Sequence, residues 1–571
     1  MKISSFQTRL RLVSIAILCG AGILIAKLFF VQIVHKNAYA ERADKQYATP
    51  AGDIFNRGSI FFSKKDGSLV AAATVSSGFK VAIKPKDIID SETTYKALDP
   101  YIEMDHDTFL ARVSKKNDPY EEIATHLTKE EVKSIEALKI PGISIYKDNW
   151  RFYPGESLAS HTLGFLAFKD KDKDKVGQYG LERYYNTTLS KPIDEVYVNF
   201  FAEVFSNIKR IAVNDTRQGD IITTIEPATQ HELESELRST LEKWKADQAG
   251  GIIINPQNGE IYAMAGLPDF DVNTFGTVDN TNIYRNPIVE NVFEFGSVIK
   301  PLVMAAALDA GVVTPTTTYM DNGVVTVNKK DIMNFDKKAR GLSTMQTVLD
   351  QSLNTGMVFV ENKMGHDTFR TYMKSYGIGE KTGIDLPNET SGLIKNLDSP
   401  RDIEYANAAF GQGIALTPIE AARAFSSLAN GGKLVTPHLV RQMRYDDGLS
   451  KVIDSPITRE NLIKKETSET ITRMLVHVFE SYDGGTHRLE HYSIATKTGT
   501  AQVAMENGKG YYTDRNMHSF FGYFPAYEPK FLVFIFLKNP KGVKYASQTL
   551  IPPFINMSKF LLNYYDVPPD R

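Results

Sequence analysis

Three short motifs follow one another along the chain: Ser297-Val298-Ile299-Lys300, Ser352-Leu353-Asn354 and Lys497-Thr498-Gly499-Thr500. Ser297 is a candidate nucleophile. Lys300 and Lys497 are amines that can take or return its proton, and Ser352 is a hydroxyl able to relay one. Asn354 offers an amide clamp, and Lys497 with the hydroxyls of Thr498 and Thr500 offers a grip for a carboxylate. The set equips a site for serine acyl transfer on an anionic, peptide-like substrate.

As strings the motifs are weak. Ser-x-x-Lys occurs at Ser77, Ser144, Ser206 and Ser297, and Lys-Thr-Gly at Lys381 and Lys497, whereas Ser-x-Asn occurs only at Ser352. Context chooses among the duplicates. After Ser297 runs Pro301-Leu302-Val303-Met304-Ala305-Ala306-Ala307-Leu308, Ala/Leu-rich with Pro near its start and Gly311 at its end. That pattern predicts a buried helix, and Gly296 suits the tight turn into it. The other three serines lie in β-like or loop segments, where residues three apart do not share a face. Lys381 lies in a Gly/Pro-punctuated stretch that reads as a loop. Lys497 follows a β-leaning stretch, with further strands expected over 519–524 and 531–537. A strand is a rigid platform, and Gly499 would let a substrate backbone lie along its edge.

Helical spacing then puts Lys300 beside the Ser297 hydroxyl. Ser297 in the first turn also sits where backbone N–H groups are unpaired and the helix dipole favours an oxyanion. An ordinary lysine, with pKa about 10.4, is neutral only roughly once in a few thousand molecules at pH 7. To act as a base Lys300 must be desolvated or lie near another cation. Lys497 is the candidate for that cation.

The ordered motifs resemble those of the penicillin-binding protein and serine β-lactamase superfamily, and more of the chain is similar to one branch, the monofunctional class B penicillin-binding proteins. Phe410-Gly411-Gln412-Gly413-Ile414-Ala415-Leu416-Thr417-Pro418, Leu428-Ala429-Asn430-Gly431-Gly432 and the Lys381 loop resemble its stretch between the second and third motifs. Upstream, Arg57-Gly58-Ser59-Ile60, Arg151-Phe152-Tyr153-Pro154-Gly155, His161-Thr162-Leu163-Gly164-Phe165 and Gly180-Leu181-Glu182 resemble its non-catalytic pedestal. The likeness covers nearly the whole chain. Two positions depart from it: Phe295 stands where the family usually has Pro, and Phe61-Phe62-Ser63-Lys64-Lys65-Asp66-Gly67 replaces the usual run after Arg-Gly-x-Ile.

Length and composition agree. A chain of 571 residues is too long for one core. With 66 basic and 68 acidic residues and net charge -2, no strongly basic domain points to nucleic acid. A lone cysteine, Cys19, excludes Cys-based zinc sites, and no cluster has metal-ligand spacing, so neither metal nor cofactor is expected. Leu12–Val34 is apolar apart from Ser14, Lys27 and Gln32, long enough for a membrane span and longer than a cleaved signal core. Lys2, Arg9 and Arg11 favour a cytoplasmic N-terminus, which places the bulk of the chain outside the cytoplasm.

The expected organisation is α+β: residues 1–36 a tail and single transmembrane anchor (span about 12–34), 37–225 a mixed, β-rich pedestal of the dimerisation type, and 226–571 the penicillin-binding transpeptidase domain. The charged run from Lys169 to Lys175 reads as a solvated loop. A helix near Pro227, strands at 250–256 and 261–265, helices between, and strands again from 493 to 537 make a sheet from both ends of the last domain. The resemblance implies an antiparallel, serine β-lactamase-like sheet flanked by helices. It further implies a D,D-transpeptidase that cross-links peptidoglycan stem peptides ending in D-Ala–D-Ala and is acylated by β-lactams. In it Ser297 attacks, Lys300 takes the proton, Ser352 relays it, and Lys497 holds the network's pKa values low. Asn354 holds the donor amide, Lys497, Thr498 and Thr500 hold the carboxylate end beside the substrate edge at Gly499, and the N–H groups of Ser297 and Thr500 form the oxyanion hole. It implies a polytopic SEDS-type glycosyltransferase and divisome membrane proteins as partners. The stretch from Ser519 to Pro529 resembles the division-specific type; an elongation-type enzyme, a β-lactamase and an inactive cell-wall scaffold are the alternatives.

Overall fold

A computed structural model describes residues 56–168, 175–191 and 217–571, apart from 279, 455–456 and 506–509. The expected anchor at Leu12–Val34, Cys19, Ser206 and most of the Lys169–Lys175 run lie outside the described residues. Among the described residues no helix is long and apolar enough to cross a membrane. The chain divides into two compact units, a smaller one containing Ser76–Trp150 and a larger one containing Arg57–Val75 and Arg151–Arg571.

In the smaller unit, Phe79–Ile83 pairs antiparallel with Glu121–Leu127. Three short helices cover the pair, each started by a side-chain cap: Asp90 for Ser91–Leu98, Asp105 for His106–Ser114, and a Thr128/Glu131 capping box for Lys129–Ala137. Their apolar faces meet in a core that includes Val81, Leu98, Phe109, Ile123 and Ile135.

The larger unit is built on a five-stranded antiparallel sheet. Its elements, in chain order, are α1 (Pro227–Trp244), β1 (Gln248–Ile254), β2 (Ile261–Leu267), α2 (Lys300–Asp309), α3 (Met345–Asp350), α4 (Asn354–Met364), α5 (Pro418–Ala429), α6 (Lys465–Ser481), β3 (Ala495–Ala504), β4 (Tyr511–Phe524), β5 (Phe531–Lys538) and α7 (Ala546–Tyr564). The strand order is β3-β4-β5-β1-β2, so the sheet joins strands from both ends of the segment, and β3 is an edge. The register aligns Lys497 with Phe521, Phe521 with Phe534, Phe534 with Ile252 and Ile252 with Met264. Directly opposed residues point to the same face, so Lys497 ends a row of buried apolar side chains. That inner face packs on α5, where Phe425 stacks on Phe521, and on α6, where Thr472 meets Tyr523, in one core shared with α2 and α4. The alternate residues, among them Phe520, Val533, Ile535 and Ile253, face outward against α1 and α7. A sheet covered on both faces needs apolar residues at successive positions, which accounts for the unbroken run Phe531-Leu532-Val533-Phe534-Ile535-Phe536-Leu537.

Between Lys300 and Asp309 helix α2 is apolar on all sides, and it is enclosed through Ala307, as that composition demands. It begins at Lys300 and not at Ser297. Gly296–Ile299 forms a 3-10 turn ahead of it.

Three of the four upstream motifs converge on one buried carboxylate, Glu182, which is 0 % exposed. It receives Arg57 Nε and Arg151 Nε, each at 2.6 Å, and Tyr153 OH at 3.3 Å. Arg57 also donates to the Glu182 carbonyl and to Asn186 and Ser190, and Arg151 to the Gly58 carbonyl. Burial works to raise the Glu182 pKa, but the two guanidiniums overcome it and hold the carboxyl below its ordinary range. Removing one partner leaves uncompensated buried charge. Glu182→Ala should therefore cost about 3–5 kcal/mol, read as a lowered midpoint in chemical denaturation; a loss under about 1 kcal/mol would show the knot to be dispensable.

Candidate active site

The nucleophile turn is held from three sides. Phe295 is fully buried against Phe534 and Phe536, and its carbonyl accepts from Ser519 Oγ at 2.7 Å. Gly296 has φ +64°, and its N–H donates to the Gly411 carbonyl at 3.2 Å. A Cβ there would lie 2.8 Å from the Thr500 carbonyl oxygen. Within the 3-10 turn, side chains at i and i+3 eclipse one another, so Ser297 and Lys300 share one line more closely than α-helical spacing would require. Ser297 is half-buried, at the border between core and cleft.

Lys300 and Lys497 enter the same dry pocket from opposite layers, 0 % and 1 % exposed. Lys300 Nζ donates to the Ser352 carbonyl at 2.7 Å and to Asn354 Oδ1 at 2.8 Å, and lies 3.2 Å from Ser352 Oγ. Lys497 Nζ lies 3.1 Å from the same Oγ and donates to the Thr498 carbonyl at 3.0 Å. The carbonyl partners can only accept. A neutral Lys300 therefore spends its two protons on them and leaves its lone pair for the Ser352 hydroxyl, which in turn accepts from Lys497. Ser352 Oγ is the proton bridge between the two amines. Burial, then the neighbouring Lys497 charge, pulls the Lys300 pKa well below its ordinary value. Burial likewise pulls Lys497 down to about 7, against the opposing field of Asp350.

Ser352 reaches both lysines from the turn between α3 and α4. It has φ +52°, a backbone state that costs roughly 1–3 kcal/mol for a non-glycine residue. The next residue, Leu353, is buried, and its N–H bonds the Val348 carbonyl at 2.9 Å. That anchorage holds the Ser352 carbonyl and hydroxyl toward Lys300. Asn354, the first residue of α4, spends Oδ1 on Lys300 and donates from Nδ2 to the Met333 carbonyl at 2.9 Å. In this state its amide orients the lysine.

Along edge strand β3, alternation separates duties. Lys497 and Gly499 face inward; a Cβ on Gly499 would lie 2.4 Å from the Phe295 carbonyl oxygen. The close approach this glycine permits is thus to the nucleophile turn. Thr498 and Thr500 face the other layer. Thr498 Oγ1 lies 3.4 Å from Tyr482 OH, and Thr500 Oγ1 accepts from the Ala546 N–H at the start of α7 at 3.1 Å. Thr498 N–H bonds Tyr482 OH at 3.2 Å, away from β4. By strand alternation the N–H of Thr500 lies on the same free edge, beside the nucleophile turn.

All eight expected site residues therefore fall in or around one cleft of the larger unit. The duplicates fall elsewhere. Ser77 and Ser144 lie in the strands Leu69–Ile83 and Ile143–Phe152. Lys381 is exposed in a loop where the Thr382 N–H and hydroxyl bind Glu389 at 2.5 Å. Sequence reasoning missed Asp350, whose charge acts on Lys497 and which pairs with His477 at 3.0 Å. It also missed Glu294, which accepts from Tyr511 OH at 3.1 and 3.0 Å across 217 residues of chain. The one available signal was a carboxylate set between Phe293 and Phe295.

Residues 249–556 match the penicillin-binding protein transpeptidase domain, and residues 56–224 the penicillin-binding protein dimerisation domain. Stage V sporulation protein D of Bacillus subtilis is 30% identical, over 97% of this chain and 85% of its own length. The peptidoglycan D,D-transpeptidases FtsI of Escherichia coli and MrdA of Acinetobacter baumannii are 25% and 28% identical, over 94% and 95% of this chain and 89% and 86% of theirs. Among solved structures, penicillin-binding protein 2X of Streptococcus thermophilus shares the fold with TM-score 0.71 at 20% identity, covering 90% of this chain and 81% of that one. Penicillin-binding protein 3 of Mycobacterium tuberculosis, in complex with aztreonam, does so with TM-score 0.68 at 20% identity, over 91% and 98%. With a dimerisation domain and a transpeptidase domain matched in this order, the chain belongs to the class B penicillin-binding proteins.

Proposed function

We propose that this transpeptidase cross-links peptidoglycan stem peptides through an acyl-enzyme on Ser297. The observation that carries the reading is the pair of buried amines joined through one serine hydroxyl beside the nucleophile turn. The Ser297 oxygen attacks the carbonyl of the D-Ala–D-Ala bond while Lys300, whose pKa burial pulls well below its ordinary value, turns its lone pair from Ser352 to Ser297 and takes the proton. Ser352 passes a proton to the departing amine of D-alanine, with Lys497 as the reservoir behind it. The oxyanion meets the N–H groups of Ser297 and Thr500. The terminal carboxylate lies along β3 at Thr498, in the field of Lys497. An amine of a second stem peptide then displaces Ser297 from the ester and closes the cross-link.

The division-specific role is part of the proposal and is supported by the stretch from Ser519 to Pro529. So is anchorage by Leu12–Val34 with the catalytic unit outside the cytoplasm, facing a SEDS-type glycosyltransferase in the same membrane. Septal enrichment of a fluorescent fusion is expected; uniform side-wall signal would favour the elongation type. A β-lactamase has no use for a matched dimerisation domain, and a scaffold has no use for a desolvated lysine pair.

Wild-type protein should form a stable fluorescent-penicillin adduct. Ser297→Ala should abolish it while leaving the melting temperature within about 2 °C, since a half-exposed hydroxyl contributes little to packing. Retained labelling would refute the assignment, and rapid loss of the wild-type adduct would favour a β-lactamase.

The pH profile follows from the lysines. Both pKa values are lowered, that of Lys497 to about 7, so neutral amine is gained as pH rises through that value and is lost as pH falls. Acylation should decline steadily from pH 7 to pH 5. Lys497→Gln removes a like charge from Lys300 and so should move that acid limb to higher pH, whatever it does to the absolute rate. An unmoved limb would show that Lys497 does not tune Lys300.

A further inference from the structure

His518 lies in none of the three motifs, and no step of the mechanism above uses it. It stands on β4 opposite Thr500, and the row they begin continues across the sheet through Leu537, Ala249 and Leu267. Directly opposed residues share a face, so this row belongs to the outer layer, where its other members are apolar. An imidazole buried to 0 % exposure in such a layer needs partners for its nitrogens, since desolvation without them is costly.

Both nitrogens are bonded, and both bonds go to the start of α7. Nε2 lies 3.1 Å from the Lys544 carbonyl oxygen and Nδ1 lies 2.9 Å from Thr549 Oγ1. A carbonyl can only accept, so Nε2 carries the proton and Nδ1 accepts from the Thr549 hydroxyl. Burial lowers the pKa of His518 to about 4, so the ring stays neutral where acylation is active. Lys544 and Thr549 bracket Ala546, the first residue of α7. The N–H groups of a first helical turn have no partner within the helix. That of Ala546 donates to Thr500 Oγ1 at 3.1 Å.

Thr500 depends on that bond. The Thr498 N–H points away from β4, to Tyr482. Two residues on, Thr500 likewise directs its N–H and carbonyl to the free edge and makes no main-chain bond with His518. In such a pair the two side chains stand close, so the contacts of Thr500 and His518 with α7 form one cluster. On the other side the Thr500 carbonyl faces the nucleophile turn, where a Cβ on Gly296 would come within 2.8 Å of it. On the mechanism proposed above, on which this step rests, we infer that His518 is a positioning residue for the oxyanion donor. It fixes the first turn of α7, whose Ala546 N–H holds the Thr500 side chain and so aims the Thr500 N–H at the reacting carbonyl. His518 touches no substrate and acts through Thr500.

Stopped-flow acylation by fluorescent penicillin separates the binding constant from the rate constant at saturation, and its amplitude counts only folded, reactive protein. Thr549→Val removes one bond of the ring without changing side-chain shape, and His518→Leu removes both. The saturated rate constant should fall about threefold in Thr549→Val and about tenfold in His518→Leu, part of the roughly 10²–10³ that a whole oxyanion donor is worth. The binding constant should hold in both. His518→Gln, whose amide can still donate to the Lys544 carbonyl, should recover most of the loss. In a Thr500→Val background the link is already cut, so either substitution should add less than about twofold. Wild-type rate constants in the labelled variants overturn the inference, as do effects that add in full to that of Thr500→Val. Should His518→Leu give no reactive protein, Thr549→Val alone and with Thr500→Val decides by the same readings. Wild type that takes up no penicillin refutes instead the transpeptidase reading.

Discussion

Two primary amines buried within reach of one hydroxyl impose the constraint on which the site depends. Both cannot carry full charge in a dry pocket without large cost, so the pocket itself holds a lysine in the basic form that acyl transfer needs. Each architectural choice serves that end. Helix α2 is apolar on every side after Lys300, and that lysine at its start is 0 % exposed. The inner face of the sheet is a row of aromatic and aliphatic residues, so Lys497 at its end is enclosed in turn. The turn carrying Ser352 adopts an unfavourable backbone state that aims its hydroxyl and carbonyl at Lys300. Stability given up locally is recovered by the core around Leu353, Phe521 and Phe534.

The same logic explains why the expected carboxylate grip is less direct than the motif suggests. Lys497 is enclosed and bonded to Ser352 and to its own strand, and the Thr500 hydroxyl is occupied by the first N–H of α7. What remains open at the edge is main chain and the field of an amine behind it. A carboxylate bound there reads the charge of Lys497 more than it touches it, which couples substrate binding to the protonation of the catalytic network.

Much of this was legible in the sequence because the signals are local. The apolar run after Ser297, the β-leaning approach to Lys497 and the loop chemistry around Lys381 each sorted a true motif from a copy. The paired strands near 250 and 261, and those at 519–524 and 531–537, followed from their apolar runs; the extension of the former back to Tyr511 did not. The helix start was misplaced by one turn because Gly296 and the backbone of Thr500 impose a 3-10 turn that no propensity predicts. Glu294 with Tyr511, and Asp350 behind Lys497, stayed hidden because such partners are chosen by the packing of distant segments. Arg57, Arg151 and Glu182 were visible only as members of three motifs; their meeting in one ion knot needed the tertiary fold.

Three glycines lie where the nucleophile turn, the Gly411 segment and β3 meet. A Cβ on Gly411 would lie 2.1 Å from the Gly296 carbonyl oxygen, one on Gly296 would lie 2.8 Å from the Thr500 carbonyl oxygen, and one on Gly499 would lie 2.4 Å from the Phe295 carbonyl oxygen. Backbone therefore touches backbone across three separate segments, with no side chain between them to act as a spacer. The Ser297 turn and the edge strand β3 are thereby spaced by the thickness of a polypeptide. A side chain at any of the three would force those segments apart, so variation around the serine is left to positions where side chains already stand.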